Sequence, residues 1–177
     1  MPMDTTLKMQ TPLSVQSFQL PRYAQLPDMG LYLEQTTKYI NRLLAPLGCP
    51  EITSSMISNY VKKGLIPKPV KKQYFAEHLS YLLFVAVVKQ LVSMEDILLL
   101  IRMQNASYGL QTAYDYFCNE FENAVFFLFG VKETMEAYGE TDSEEKELLK
   151  GLLYSAAHLI YMHARLEAHR EKLDTQM

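Results

Sequence analysis

From Leu79 to Val88 the chain is apolar at every position except Ser80, and Lys89 closes the run. A helix built from these residues has apolar side chains on nearly every face, so it belongs inside a core. It is too short to cross a bilayer, which takes about 20 such residues. Around it the apolar positions recur at helical spacing, and the fold class expected is mainly α. Leu33, Tyr39, Ile40, Leu43 and Leu44 predict a helix over Leu31 to Leu47, with Asp28 as its N-cap and Gly48 and Pro50 as its stop. Thr53 predicts the cap of a short helix that runs to Lys63 and ends at Gly64. Leu65 to Tyr74 holds two prolines and reads as an extended loop. The apolar run gives a helix from Phe75 or Ala76 to about Leu91. The Ser93-x-x-Asp96 box opens another, to about Met103.

The stretch Asn105 to Leu110 reads as a break. A helix over about Gln111 to Phe129 carries the stripe Tyr114, Phe117, Cys118, Phe121, Val125 and Leu128. Residues 130–141 read as a linker, and a long terminal helix is expected from Ser143 to about Leu173. Its seam would be Leu149, Leu152, Ala156, Leu159, Ile160, His163 and Leu166, able to dock within the chain or onto a second copy. Met1 to Pro27, with four prolines and no period, reads as an extended or partly disordered arm. The organisation expected is therefore an arm at 1–27, a head at 28–103 and a helical dimerisation or effector region at 104–177.

Several chemistries find no support in the residues. Two cysteines, Cys49 and Cys118, exclude a disulfide scaffold and a multi-cysteine zinc site. His163 and Glu167 stand at i, i+4, but two ligands do not make a metal site. The seven glycines never cluster into a phosphate-cradling loop, and no Gly-x-Ser-x-Gly elbow exists. The expectation is no enzyme, no cofactor and no metal. The N-terminus has no apolar block of the kind a secretory signal carries, so a cytoplasmic protein with reduced thiols and no membrane contact is expected.

Charge is unevenly spread. Residues 1–114 hold 11 basic and 7 acidic side chains, whereas 115–177 hold 6 and 13. Within the first part, 52–76 holds Lys62, Lys63, Lys68, Lys71 and Lys72 and no acid. On the helix that starts at Thr53, Met56, Ile57, Tyr60 and Val61 share an inward side, while Ser55, Ser58, Asn59 and Lys62 share an outward one, beside Ser54. A small, polar, positive helix face suits a major groove, where Asn can bond adenine bidentately. A basic loop beside it suits phosphates. Helix, turn, polar-faced helix and basic loop together describe a winged helix-turn-helix. The candidate DNA-binding residues are Ser54, Ser55, Ser58, Asn59, Lys62, Lys63, Lys68, Lys71, Lys72 and Tyr74.

The stretch 52–101 resembles the DNA-binding head of MerR-type regulators. It has an aromatic Tyr60 before Gly64-Leu65, a basic wing with Lys71 and Lys72 that ends in Tyr74, and a helix opened by Ser93 and Asp96. From about 28 to 170 the chain also resembles a bacterial family known as domain of unknown function 1836. Its most characteristic part here is Tyr-Val-Lys-Lys-Gly-Leu-Ile-Pro-Lys-Pro-Val-Lys-Lys, residues 60–72. The resemblance implies a transcription regulator with a MerR-like head and an all-helical remainder. MerR-type recognition helices and wings usually carry Arg where this chain has Ser and Lys, and Lys reads bases less specifically than the guanidinium fork. The partners expected are double-stranded DNA, a second copy of the chain, and a small-molecule effector. Tyr114, Phe117, Phe121, Phe126, Phe127 and Phe129 read first as a core or dimer contact and alternatively as a pocket for an apolar effector. The alternative is a non-enzymatic protein-interaction module on the same scaffold without DNA contact.

Overall fold

The computed structural model describes residues 12–136 and 143–176. Among these the chain forms seven α-helices and one two-stranded sheet, so it is mainly helical. The apolar run lies in α4 (Ala76–Val88), in which every residue from His78 to Val88 is buried. α2 (Leu33–Leu44), α6 (Leu110–Leu128) and α7 (Glu144–Gln176) pack against it.

Expected boundaries shift for local reasons. α2 does not start after Asp28. Residues 31–32 form strand β1 (Leu31–Tyr32), and Tyr32 precedes the first helical residue. β1 pairs antiparallel with β2 (Gln73–Tyr74), Leu31 opposite Tyr74. Gly30 is needed beside this pair, since a Cβ on it would stand 2.7 Å from the Cβ of Gln73. α2 passes into a 3-10 turn, Ala45–Leu47, before Gly48. α5 (Met94–Ser107) runs past Met103, through the expected break and across the expected boundary at 103, and only Tyr108 and Gly109 separate it from α6. Its cap is as the sequence suggests, with Ser93 Oγ accepting from the Asp96 N–H at 3.1 Å.

The expected arm needs correction over its described part. Residues 1–11 lie outside the described residues. Residues 12–27 hold α1 (Leu13–Gln16) and a 3-10 turn at Tyr23–Gln25, and Val15, Phe18, Leu20 and Leu26 are buried. This segment is a strap across α6. Arg22 grips the Glu122 carboxylate with both terminal nitrogens, at 2.9 and 2.8 Å, and Asn119 Oδ1 at 2.8 Å. The Leu20 N–H donates to Glu122 at 2.7 Å, and Tyr114 donates to the Pro21 carbonyl at 2.9 Å. The Glu122 hydrogen bond holds the Arg22 pKa above its ordinary value. No period announces the strap, because it holds only two short turns of its own, and the Leu20 and Tyr23 N–H groups and the Pro21 carbonyl are satisfied by side chains of α6.

The aromatic stripe is core. Phe117 stacks on Phe121 with centroids 6.0 Å apart, Phe84 meets Phe117 edge-on, and Phe18 meets Phe121 edge-on. Each such ring is worth roughly 1.5–3 kcal/mol by burial alone. α7 has 33 residues, about 50 Å of helix. Its inner side, Leu153, Ala156 and Ala157, docks on the bundle, chiefly on α6. Of the expected seam, Ala156 is buried, Leu149, Leu152, Leu159 and Ile160 are half-buried, and His163 and Leu166 are exposed. One core runs from Val15 to Ala157, so the expected head and remainder are packed as a unit. Among the described residues no helix is long and apolar enough to cross a membrane.

Candidate nucleic-acid interface

α3 (Ser54–Lys62) begins at Thr53, whose Oγ1 accepts from the Met56 N–H at 3.1 Å. Ile57 and Tyr60 are buried, which fixes the roll of the helix and turns the opposite side outward. At its end Gly64 takes a left-handed φ of 79°. The Leu65 N–H then reaches the Tyr60 carbonyl at 3.0 Å, and the Gly64 N–H reaches Val61 at 3.1 Å. This double closure turns the chain sharply and seats Leu65 and Ile66 in the core.

The following loop is a hairpin rather than an extended segment. Val70 and Gln73 exchange both backbone hydrogen bonds, at 3.0 and 2.9 Å, around the two residues Lys71 and Lys72. Both lysines are left-handed, with φ of 49° and 66°. Two-residue hairpins favour this arrangement because it matches strand twist, but Asn and Gly normally occupy it. A non-glycine residue there costs about 1–2 kcal/mol. The hairpin root is held by His78, which is buried. His78 Nδ1 accepts from the Phe75 N–H at 2.9 Å, so Nε2 carries the proton and donates to the Lys68 carbonyl at 3.1 Å.

The ten candidate residues fall into three sets. Ser55, Ser58, Lys62, Lys63, Lys68, Lys71 and Lys72 are exposed on α3 and the hairpin. Ser54 and Asn59 are half-buried and engaged. Ser54 Oγ donates to Glu34 of α2 at 2.9 Å, and Asn59 Nδ2 lies 4.0 Å from the Met94 sulfur. Tyr74 departs from expectation. It is 4% exposed, its ring is edge-on to His78, and burial raises its hydroxyl pKa. Alternation along β2 sends Tyr74 inward, so it anchors the hairpin and is not available at its surface. Glu34 was out of reach of the acid-free count over 52–76, because α2 brings it to the start of α3.

A second feature lies between the hairpin-bearing part and the long helix. α4, α5, α6 and α7 leave a cavity of about 550 Å³, walled by Phe84, Leu100, Met103, Tyr116 and Leu149. Asp115, Asn119 and Lys146 supply its polar edge, and the Lys146 ammonium lies 5.6 Å from the Tyr108 ring centroid. The aromatic stripe is core, as its reading as a core or dimer contact expects, and the alternative reading of it as an effector pocket does not hold. The cavity opens on the neighbouring side of α6, where Asp115, Tyr116 and Asn119 give no periodic apolar signal. Among the described residues no three His, Cys, Asp or Glu side chains gather to hold a metal ion.

Residues 21–117 match the model of a family described as Domain of unknown function (DUF1836). The matched stretch starts in the strap, contains α2 to α5 with the hairpin, and ends in α6. No curated protein and no solved structure matches the chain.

Proposed function

The chain belongs to this family of domains of unknown function, and we propose that it is a DNA-binding transcriptional regulator with a MerR-like winged helix-turn-helix head. α2 and α3 are the helix-turn-helix pair, with α3 in the major groove, and the Val70–Gln73 hairpin is the wing. The observation that carries the reading is the wing tip: two exposed lysines held in a strained turn, in a head whose α3 has no acidic residue of its own. Strain of this kind is kept where the strained residues do something that Asn and Gly cannot. Ser55, Ser58 and Asn59 meet base edges, while Lys62, Lys63, Lys68, Lys71 and Lys72 meet phosphates. The cavity beside α5 is of a size that suits a small apolar effector. Such a ligand packs directly on α5, the last helix of the head, and on α6, which follows it. The regulator works in the cytoplasm as a homodimer, so that two heads meet two half-sites, and it is not an enzyme.

A specific observation favours a second reading. The Glu34 carboxylate at the start of α3 repels a phosphate, as in a protein-interaction module that never touches DNA. Fluorescence anisotropy with labelled promoter-proximal duplex, at about 50 and 200 mM salt and with scrambled competitor, separates the two. The regulator binds with steep salt dependence and resists the competitor. Lys71→Glu with Lys72→Glu weakens its binding to every sequence and flattens the log–log salt slope by roughly 0.9 per lost contact. The interaction module binds neither duplex and is not retained on heparin.

A further inference from the structure

The outward face of α7 is unusual for a solvent-facing helix. Leu148, Gly151, Ser155, His158, Met162, Leu166, His169 and Leu173 follow one another at steps of three and four, and all are exposed. Leu148, Met162, Leu166 and Leu173 are 45, 46, 50 and 63% exposed. No Asp, Glu, Lys or Arg lies on this face from Leu148 to His169. It is the side opposite Leu153 and Ala157, which dock on the bundle, so it differs from the seam that the sequence suggested. Over the whole helix the charges nearly cancel at each end, since Lys146 and Lys150 accompany the first acids and Glu167, Glu171 and Asp174 the last bases. At 100° per residue, however, those five turn toward the bundle side, and the charges flanking the outward face are polarised. Glu144, Glu145 and Glu147 stand at its start, and Arg165, Arg170 and Lys172 near its end.

We infer that this face is covered by the same face of a second copy, with the two α7 helices antiparallel about a two-fold axis near His158 and Leu159. Antiparallel pairing is what the two gradients demand. It sets the small Gly151 and Ser155 of one copy opposite Leu166 and Met162 of the other, so that large side chains enter the spaces the small ones leave. It brings Glu147 alongside Lys172 of the second copy, and the two-fold axis makes that contact twice. A parallel pair would instead set acid against acid and base against base. From Leu148 to Leu173 the strip is about 38 Å long and 10–12 Å wide, roughly 400 Å² a side or 800 Å² in total, the size of a weak, concentration-dependent association. The inference rests on the helix alone and stands whether or not the head binds DNA.

The test is cysteine cross-linking of the full chain under oxidising conditions, with sedimentation to give the mass. Ser155 and Met162 of one chain are two helical turns apart, about 10.5 Å, too far for a disulfide within it. In the antiparallel pair each faces the other across the axis. Ser155→Cys with Met162→Cys in one chain is therefore expected to form a covalent dimer, and neither single variant is. Sedimentation of the wild-type chain is expected to give twice its 20.4 kDa, and Met162→Glu with Leu166→Glu, both at exposed positions, a folded monomer. Glu147→Lys and Lys172→Glu are each expected to raise the dimer dissociation constant roughly two- to tenfold, and the double variant to restore it. A monomer over the whole concentration range overturns the inference, and so do single-cysteine variants that cross-link as fast as the double one.

Discussion

The wing tip sets stability against charge in two adjacent residues, and a double substitution separates them. Lys71→Asn with Lys72→Gly gives the turn its preferred residues at φ of 49° and 66°. Two strained lysines cost about 2–4 kcal/mol together. Asn relieves part of the cost at its position, and Gly relieves all of it at the other but adds about 0.5–1 kcal/mol of unfolded-chain entropy. The net gain expected is roughly 1–2 kcal/mol. For a chain of 177 residues each kcal/mol is worth about 2–4 °C, so the melting temperature should rise by roughly 2–8 °C. Both lysines are exposed and no salt bridge holds either among the described residues, so no lost ion pair offsets the gain. The same variant loses two phosphate contacts, and its log–log salt slope for DNA should drop by about 1.8. Calorimetry and anisotropy on one preparation read both effects. A melting temperature at or below wild type refutes the strain argument. A stabilised variant with an unchanged salt slope refutes the phosphate role of the tip.

His78→Phe keeps a ring but strands the Phe75 N–H and the Lys68 carbonyl. It should cost roughly 2–4 kcal/mol in urea denaturation, and a loss below about 0.5 kcal/mol would show that the hairpin root is held by something else. Arg22→Met leaves the Glu122 carboxylate, 10% exposed, with its main cation gone. The expected loss is roughly 2–4 kcal/mol, together with early proteolysis between 12 and 27, and wild-type resistance to protease in that segment would contradict the strap. Burial pushes the Cys49 thiol up to about 11 and the Cys118 thiol to about 12, from 9.0. Cys49 in the folded chain should therefore alkylate about a hundredfold more slowly than an unfolded cysteine at pH 8, and equal rates would disprove its burial. Since the folded state holds these two protons more tightly, their contribution to stability is complete below pH 9 and is lost as pH rises through 11 and 12.

Helices that carry a period or a cap are legible in this sequence. Thr53, Ser93 and the Leu79–Val88 run mark α3, α5 and α4 to within a few residues, because a capping hydroxyl and an all-apolar helix are local facts. The strap is not legible. Arg22 and Glu122 are a hundred residues apart, and nothing in either neighbourhood announces the other. The hairpin was hidden for the opposite reason. Lys-Lys is a poor turn signal, and only the pairing of β2 with β1 forces those two residues into the left-handed region. The candidate interface was visible as charge, while the tertiary terms that modify it, Glu34 beside Ser54 and the burial of Tyr74, arise from the packing of α2 and α4 against it.

The strap also sets an order on how the molecule can be made. Leu20 donates to Glu122 across 102 residues of chain, so the strap can rest α1 on the Ala45–Leu47 turn early but is not fully seated until α6 has emerged. At about 5–20 residues per second that interval is roughly 5–20 seconds. During it Phe18 and Leu20 lack the Phe121 ring and the Glu122 carboxylate that hold them in the finished fold. A chain cut short before Glu122 leaves the strap without the α6 side chains that grip Leu20 and Arg22.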